Sequence, residues 1–174
     1  MVRKAFTLIE LIIVVFIIAL TYAVFIQTFD FSQKSISTSL KTMQGALESL
    51  RSTNGSTITV RCFDNCNECR VWEGDEDRNT TISIFPNEAE VNVYELQGNQ
   101  VEKITFNDYY FKEFRGEPVC FEYNIYPNGS ADKIIVEYDQ NVILLDSYMH
   151  PPMEFDSVDS ARLHWMEEKL KTRG

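Results

Sequence analysis

Histidine is scarce in this chain, with only two among 174 residues, at positions 150 and 164. His150 precedes Pro151-Pro152 and His164 lies in the last helical run; neither belongs to a recognisable Ser/His/Asp or Cys/His arrangement. Positive charge is also short: 16 Lys and Arg stand against 26 Asp and Glu, a net charge of −10. Phosphate backbones repel such a chain unless it gathers its cations into a patch, so bulk nucleic-acid binding is disfavoured. Internal repeats and low-complexity linkers are lacking, as is any loop with the oxygen-ligand spacing of a calcium site. Asp30 and the run Asp75-Glu76-Asp77 read as solvated loops. The sequence thus predicts no catalytic site, no metal site and no cofactor. Apolar side chains are plentiful by contrast: 44% of residues are hydrophobic and 13% aromatic, enough to pack one domain of ordinary size.

Met1 to Ala5 form a short polar segment carrying Arg3 and Lys4, and Phe6–Phe29 follows with Glu10 as its only charge. A helix over that run is roughly 36 Å long at ~1.5 Å per residue, enough for a bilayer core. Basic residues before it and Asp30 after it predict a cytoplasmic N-terminus with the remainder outside. A cleaved secretory signal fits less well. Glu10 interrupts the start of the apolar run, and Tyr22–Gln27 holds no small-x-small cleavage site. An uncleaved signal anchor, with Glu10 hydrated at the interface, fits the same residues.

The segment Lys4-Ala5-Phe6-Thr7-Leu8-Ile9-Glu10-Leu11-Ile12-Ile13-Val14-Val15 resembles the N-terminal cleavage and methylation motif of type IV pilins and type II secretion pseudopilins. The resemblance implies that a prepilin peptidase cuts between Ala5 and Phe6, that the new N-terminus is methylated, and that Glu10 serves assembly. Removal of residues 1–5 would leave 14 basic against 26 acidic residues. Two positions depart from the family pattern: Ala5 stands where Gly is usual, and Gln27 where major pilins usually carry Pro. The second departure favours a minor component. A carboxylate inside an apolar helix costs about 2.5–3.5 kcal/mol on insertion scales. The amine of a neighbouring subunit's Phe6 could neutralise it in a filament core.

Beyond Phe29, the residues Ile36, Leu40, Met43, Leu47 and Leu50 make one apolar stripe at helical spacing. The pattern predicts a single rod of roughly 67 Å from Phe6 to about Leu50, ended near Asn54-Gly55. Residues 6–29 would be its membrane-spanning half and 30–53 its amphipathic half. Two helices broken near Asp30 would fit the same spacing. From residue 54 the period changes to two. Strand-like runs are Thr57–Phe63, Arg70–Glu73, Thr80–Phe85, Glu90–Leu96, Val101–Phe106, Val119–Tyr126, Lys133–Tyr138 and Val142–Ser147. Gly98-Asn99, Asn128-Gly129 and Asp139-Gln140-Asn141 are turn signals. Asn107–Pro118 reads as a loop whose aromatics plug the core. The predicted fold is α+β and pilin-like: a long N-terminal helix packed on an antiparallel sheet domain at 54–174, with a C-terminal helix at 156–173. Tyr126-Pro127-Asn128-Gly129-Ser130 and the strands after it also look like the C-terminal hairpin of H-type (FimT-like) minor pseudopilins.

Four cysteines fall at 62, 66, 69 and 120. Cys62-x3-Cys66-x2-Cys69 has the spacing of the cluster ligands in radical enzymes that use S-adenosylmethionine, but no barrel is encoded to hold such a cluster. Haem attachment fails because Arg70, not His, follows Cys69. A four-thiolate zinc site and two disulfides both remain open. The predicted outward topology favours disulfides, with Cys120 bonding one of the other three. In the last helix Asp156 or Ser157 would act as N-cap, and Arg162, Lys169 and Arg173 fall on one side. Either Lys169, Lys171 and Arg173 complement the helix C-terminal dipole and lie over apolar surface, or Arg162, Lys169 and Arg173 form a basic stripe for an acidic partner or DNA. Asp77-Arg78-Asn79-Thr80-Thr81 matches an acidic glycosylation sequon, which leaves modification of Asn79 open.

The reading that follows is a structural subunit, a minor pilin or pseudopilin in a type IV pilus or type II secretion-like filament. Its partners would be other pilins, the prepilin peptidase and the bacterial inner membrane, which a single pass would cross to leave the C-terminal domain in the periplasm or in an extracellular filament. The alternatives are a DNA-binding minor pilin for natural transformation and a membrane-anchored periplasmic metal or redox protein.

Overall fold

The computed structural model describes residues 8–28, 34–52, 55–86, 89–110, 116–147 and 150–171. The chain divides into two compact units, Met1–Gln33 and Lys34–Gly174. The first contributes one helix, α1 (Leu8–Thr28). An unbroken run of apolar and straight-chain residues without Gly or Pro lets it propagate. From Leu8 to Tyr22 its side chains are exposed around the whole circumference.

The second unit is mostly β. Its elements in order are β1 (Lys34–Ser37), α2 (Leu40–Leu50), β2 (Ile58–Phe63), β3 (Glu68–Glu73), β4 (Glu76–Ser83), β5 (Val91–Gln97), β6 (Gln100–Lys103), β7 (Val119–Ile125), β8 (Ile134–Tyr138), β9 (Asn141–Leu145), β10 (Met153–Phe155) and α3 (Val158–Lys171). The strands form two five-stranded sheets, ordered β1-β4-β3-β2-β7 and β10-β9-β8-β5-β6. All pairings in the two sheets are antiparallel except β1 with β4, which run parallel.

The predicted rod is not present. Residues 34–37, expected inside the helix, form an edge strand on β4, with Ile36 opposite Ile82. The cause is local. Ser35, Ser37, Thr38 and Ser39 are hydroxyl residues that compete with helical hydrogen bonds and favour caps. Ser39 is the N-cap of α2, and its amide donates to Thr42 Oγ1 at 3.3 Å. The helix also stops before Asn54-Gly55, because Arg51 is already extended (φ −63°, ψ 130°). A long N-terminal helix packed on one sheet is therefore replaced by two separate helices, a strand between them, and two sheets.

The membrane expectation is corrected as well. Among the described residues no helix is long and apolar enough to cross a membrane. The structure does not support a single-pass inner-membrane protein.

One core joins α2 to the inner faces of both sheets. Leu40, Met43 and Leu47 of α2 are buried with Ile58, Val60, Phe121, Tyr123 and Ile125 from one sheet. From the other come Val93, Ile134, Val136, Ile143 and Leu145. The apolar stripe read from the sequence thus survives on α2, at spacings of three and four, without Ile36. A second, smaller core lies on the opposite face of the β10-β9-β8-β5-β6 sheet. There Ala161 of α3 is buried with Ile135, Val142 and Leu144, while Val158 and Trp165 pack at the edge. Period two explains this division, since Ile134 and Val136 face α2 while Ile135 faces α3.

Candidate functional site: an apolar helix, a bridged hairpin and a charged cleft

Ala5 and Phe6, the expected processing residues, lie outside the described residues. Glu10 is described and sits exposed in the first turn of α1. It is the only charged residue between Leu8 and Thr28. Around it the apolar side chains from Leu8 to Tyr22 are 48–77% exposed where the residues are large. Water is an unfavourable neighbour for such a surface at about 25 cal/mol per Å², and isolated exposed patches of this size mark contact surfaces.

The four cysteines form two disulfides, Cys62–Cys69 and Cys66–Cys120. Cys62 and Cys69 are directly opposed across the β2–β3 pair. Cys66 lies in the turn between those strands, where Asp64 and Cys66 take positive φ of 52° and 59°. Its bond to Cys120 ties that turn to the first residues of β7. Cys120 thus joins the cluster, as the sequence reading favoured. With every sulfur bonded to another sulfur, no thiolate is left for the four-cysteine zinc site.

On the outer face of β2 and β3, Arg61 lies between two aromatic rings. Its guanidinium is 5.2 Å from the Trp72 centroid and 4.9 Å from that of Tyr109. Nε also donates to Glu122 of β7 at 2.5 Å. Tyr109 comes from the irregular stretch after β6 and is pinned there by paired backbone hydrogen bonds with Glu117. Tyr109 is therefore half-buried on the outer face of the sheet and is not the core plug expected, and Tyr110 is exposed. Phe111 and Phe114 lie outside the described residues.

Two of the three basic residues expected on one side of the C-terminal helix are described. Arg162 turns back on its own domain, bonding Asp159 at 2.8 Å and donating to the Asn99 carbonyl oxygen at 3.1 Å. Lys169 is exposed, and Arg173 lies outside the described residues. Ser157 caps α3, accepting from the Ser160 amide at 3.2 Å. Asn79 is exposed at φ 48° on β4, next to a register shift between β3 and β4. Its amide donates to Asp77 Oδ1 at 2.8 Å.

A charged cleft beneath α3 was not foreseen. Asp146, at the end of β9, is buried and bonds His150 Nδ1 at 2.6 Å and the Ser147 amide at 2.6 Å. Lys133, just before β8, bridges Asp146 at 3.2 Å and Glu168 of α3 at 2.6 Å. Its ammonium also lies 5.4 Å from the centre of the Trp165 ring. Burial alone would raise the Asp146 carboxyl. The His150 ring, the Ser147 amide and Lys133 outweigh it and hold the group below its ordinary value. The His150–Asp146 pair supplies two groups of a hydrolytic triad, but the Ser147 hydroxyl bonds Asp146 at 3.3 Å rather than the imidazole. The sequence did hold a clue: Asp146 ends the apolar run Val142-Ile143-Leu144-Leu145, and a carboxylate carried inward by such a strand needs a cation.

Compared with known proteins, the chain matches no family model, no curated protein and no solved structure.

Proposed function

We propose that the chain is a structural subunit of a filament, a minor pilin or pseudopilin, that joins its neighbours through α1. The observation that carries this reading is a helix apolar on every side, exposed from Leu8 to Tyr22, with Glu10 as its single charge. Such a surface needs cover, and other copies of the same kind of helix supply it by side-by-side packing. The segment Lys4–Val15 supports the same reading through its likeness to the prepilin motif. Cleavage before Phe6 would create an amine four positions from Glu10, and a neighbour's amine would neutralise that carboxylate where water is excluded. The bridged β-domain fits an oxidising compartment, since disulfides persist there. The basic-stripe reading as a DNA-binding pilin loses its first residue, because Arg162 is engaged within its own domain.

Glu10→Gln tests the assignment. The substitution leaves the side-chain shape nearly unchanged and removes only the charge. The variant is expected to accumulate with a folded, disulfide-bonded β-domain and to lose co-purification with the pilin-like proteins made alongside it. Association at the wild-type level, with the variant equally abundant, would rule out Glu10 as the assembly residue.

A further inference from the structure

Three Asn-x-Ser/Thr triplets occur in the sequence, at Asn54-Gly55-Ser56, Asn79-Thr80-Thr81 and Asn128-Gly129-Ser130. Such a triplet is the acceptor pattern for N-linked sugars. Asn54 lies outside the described residues, and the other two differ in geometry. Asn128 is spent locally: its side-chain oxygen accepts from the Ser130 amide at 3.0 Å and from the Ser130 hydroxyl at 2.7 Å. The hydroxyl that must stand free two positions after an acceptor is thus tied up inside the turn. Asn79 is exposed, and its carboxamide has no hydrogen bond among the described residues. It stands where three residues of β4, Arg78, Asn79 and Thr80, oppose only Val71 of β3. The extra residues make β4 bulge, and a bulge re-aims side chains. Thr80 is buried, while Asn79 before it is exposed and Thr81 after it is half-buried, so both neighbours lie on the outer side of the sheet. Asp77, two positions before Asn79, uses one carboxylate oxygen to accept from the Asn79 backbone amide at 2.8 Å. The adjacent Arg78 does not cancel that charge, because its guanidinium bonds Glu73.

We propose that Asn79 is the acceptor of an N-linked glycan. The donor is a sugar chain carried on a lipid pyrophosphate, and a transferase brings the two together. Asn79 Nδ2 attacks the anomeric carbon of the first sugar. The C–N bond forms as the C–O bond to the pyrophosphate breaks, the pyrophosphate leaves with the electron pair, and one Nδ2 proton passes to a base of the transferase. An exposed, unbonded carboxamide is open to that attack, whereas the Asn128 carboxamide is held by Ser130. The Asp77 carboxylate offers its second oxygen to a cationic side chain of the transferase. Disulfides keep to oxidising compartments and the acceptor pattern belongs to secreted chains, so the two bridges and the triplet agree. The inference stands apart from assembly through α1.

Intact-mass spectrometry of the oxidised full chain, purified from the cells that make it, is expected to show the mass of one glycan beyond the polypeptide. Peptide mapping is expected to place that glycan on Asn79 and to find Asn128 bare. Asn79→Gly suits the φ of 48° at the bulge. That variant is expected to stay folded, with no thiol open to alkylation, and to lose the glycan, which separates the acceptor chemistry from the backbone need. Asp77→Asn keeps an oxygen for the Asn79 amide and removes only the charge. It is expected to lower the glycosylated fraction by about tenfold, the weight of one charge-assisted hydrogen bond. A bare Asn79 in the wild-type chain, a glycan on Asn128, or an Asp77→Asn chain modified as fully as the wild type would each overturn the assignment.

Discussion

Gln44 and Tyr123 are 79 positions apart in sequence, yet the Gln44 side-chain amide donates to the Tyr123 hydroxyl at 2.5 Å inside the protein. The same amide nitrogen lies 3.3 Å from the backbone oxygen of Asp146. One side chain of α2 therefore joins a strand of each sheet at the centre of the core. Helix, first sheet and second sheet meet at that amide.

Replacing Gln44 by Ala leaves the Tyr123 hydroxyl and the Asp146 carbonyl without this donor. A buried group left unsatisfied costs about 1–3 kcal/mol. The variant is expected to unfold at lower urea concentration by that amount, with an unchanged urea dependence. An unaltered midpoint would show that Gln44 is not a structural donor.

The two disulfides contribute unequally. Cys66–Cys120 spans 54 positions and Cys62–Cys69 only 7. On chain entropy the longer closure stabilises by about 2 kcal/mol more. Paired substitution of Cys66 and Cys120 by Ala is expected to lower unfolding free energy by about 2–5 kcal/mol, and the pair Cys62 and Cys69 by less. Urea denaturation of both variants measures the difference, and the reverse order would contradict it.

Acid is expected to weaken the cleft. The Asp146 carboxyl is held below its ordinary value of 3.8 in the folded chain. The stability it contributes is therefore present above 3.8 and is lost as pH falls through the lowered native value. Asp146→Asn should be less stable than the parent near neutral pH, with the gap closing in strong acid. Urea midpoints at about pH 7 and about pH 2 read this out. A gap that stays constant would mean that packing, not charge, is what the substitution disturbs.

Alkali acts through the tyrosines. Burial pushes the Tyr123 phenol up to about 12, and the hydrogen bond to Asp132 does the same for Tyr126. A phenol raised in the folded state contributes stability that is complete below its ordinary value of 10 and disappears as pH rises through 12. Phenolate absorbance should show a late-titrating group that merges with the others once the chain is unfolded in urea. Coincident titration in folded and unfolded protein would contradict it.

Much of the β-domain could be read from period two. Each of the eight alternating runs overlaps one of β2 to β9, although β4 already begins at Glu76, within the acidic run read as a loop, and Gly98-Asn99 closes the two-residue hairpin between β5 and β6 as the residues suggest. What could not be read was short or shared. β1 has four residues and one large apolar side chain, and Ile36 falls by chance in register with the stripe of α2. β10 has three residues, and its place is set by pairing with β9, which no local pattern records. The split into two sheets is equally non-local, because β7 and β8 are joined by a turn and yet belong to different sheets. For the cleft, the β8–β9 register, with Ile134 opposite Leu145, brings Lys133 to Asp146, and the packing of α3 on that sheet adds Trp165 and Glu168. The cysteine partners were narrowed by the chemistry and fixed by β2–β3 register, which places Cys62 opposite Cys69 and leaves Cys66 for Cys120.

The Cys66–Cys120 bridge also governs how the protein would behave under tension. A pull applied through α1 and the C-terminal helix reaches Cys66 and then passes through the sulfurs directly to β7. β3, β4, β5 and β6 lie inside the closed ring, so their backbone cannot be drawn out between the ends while the bridge holds. The 54 positions between the two cysteines would extend by roughly 180 Å if released, and the bridge withholds that length. Stretched from its two ends, the chain would yield only its outer segments, and it would recoil around a ring that had never opened.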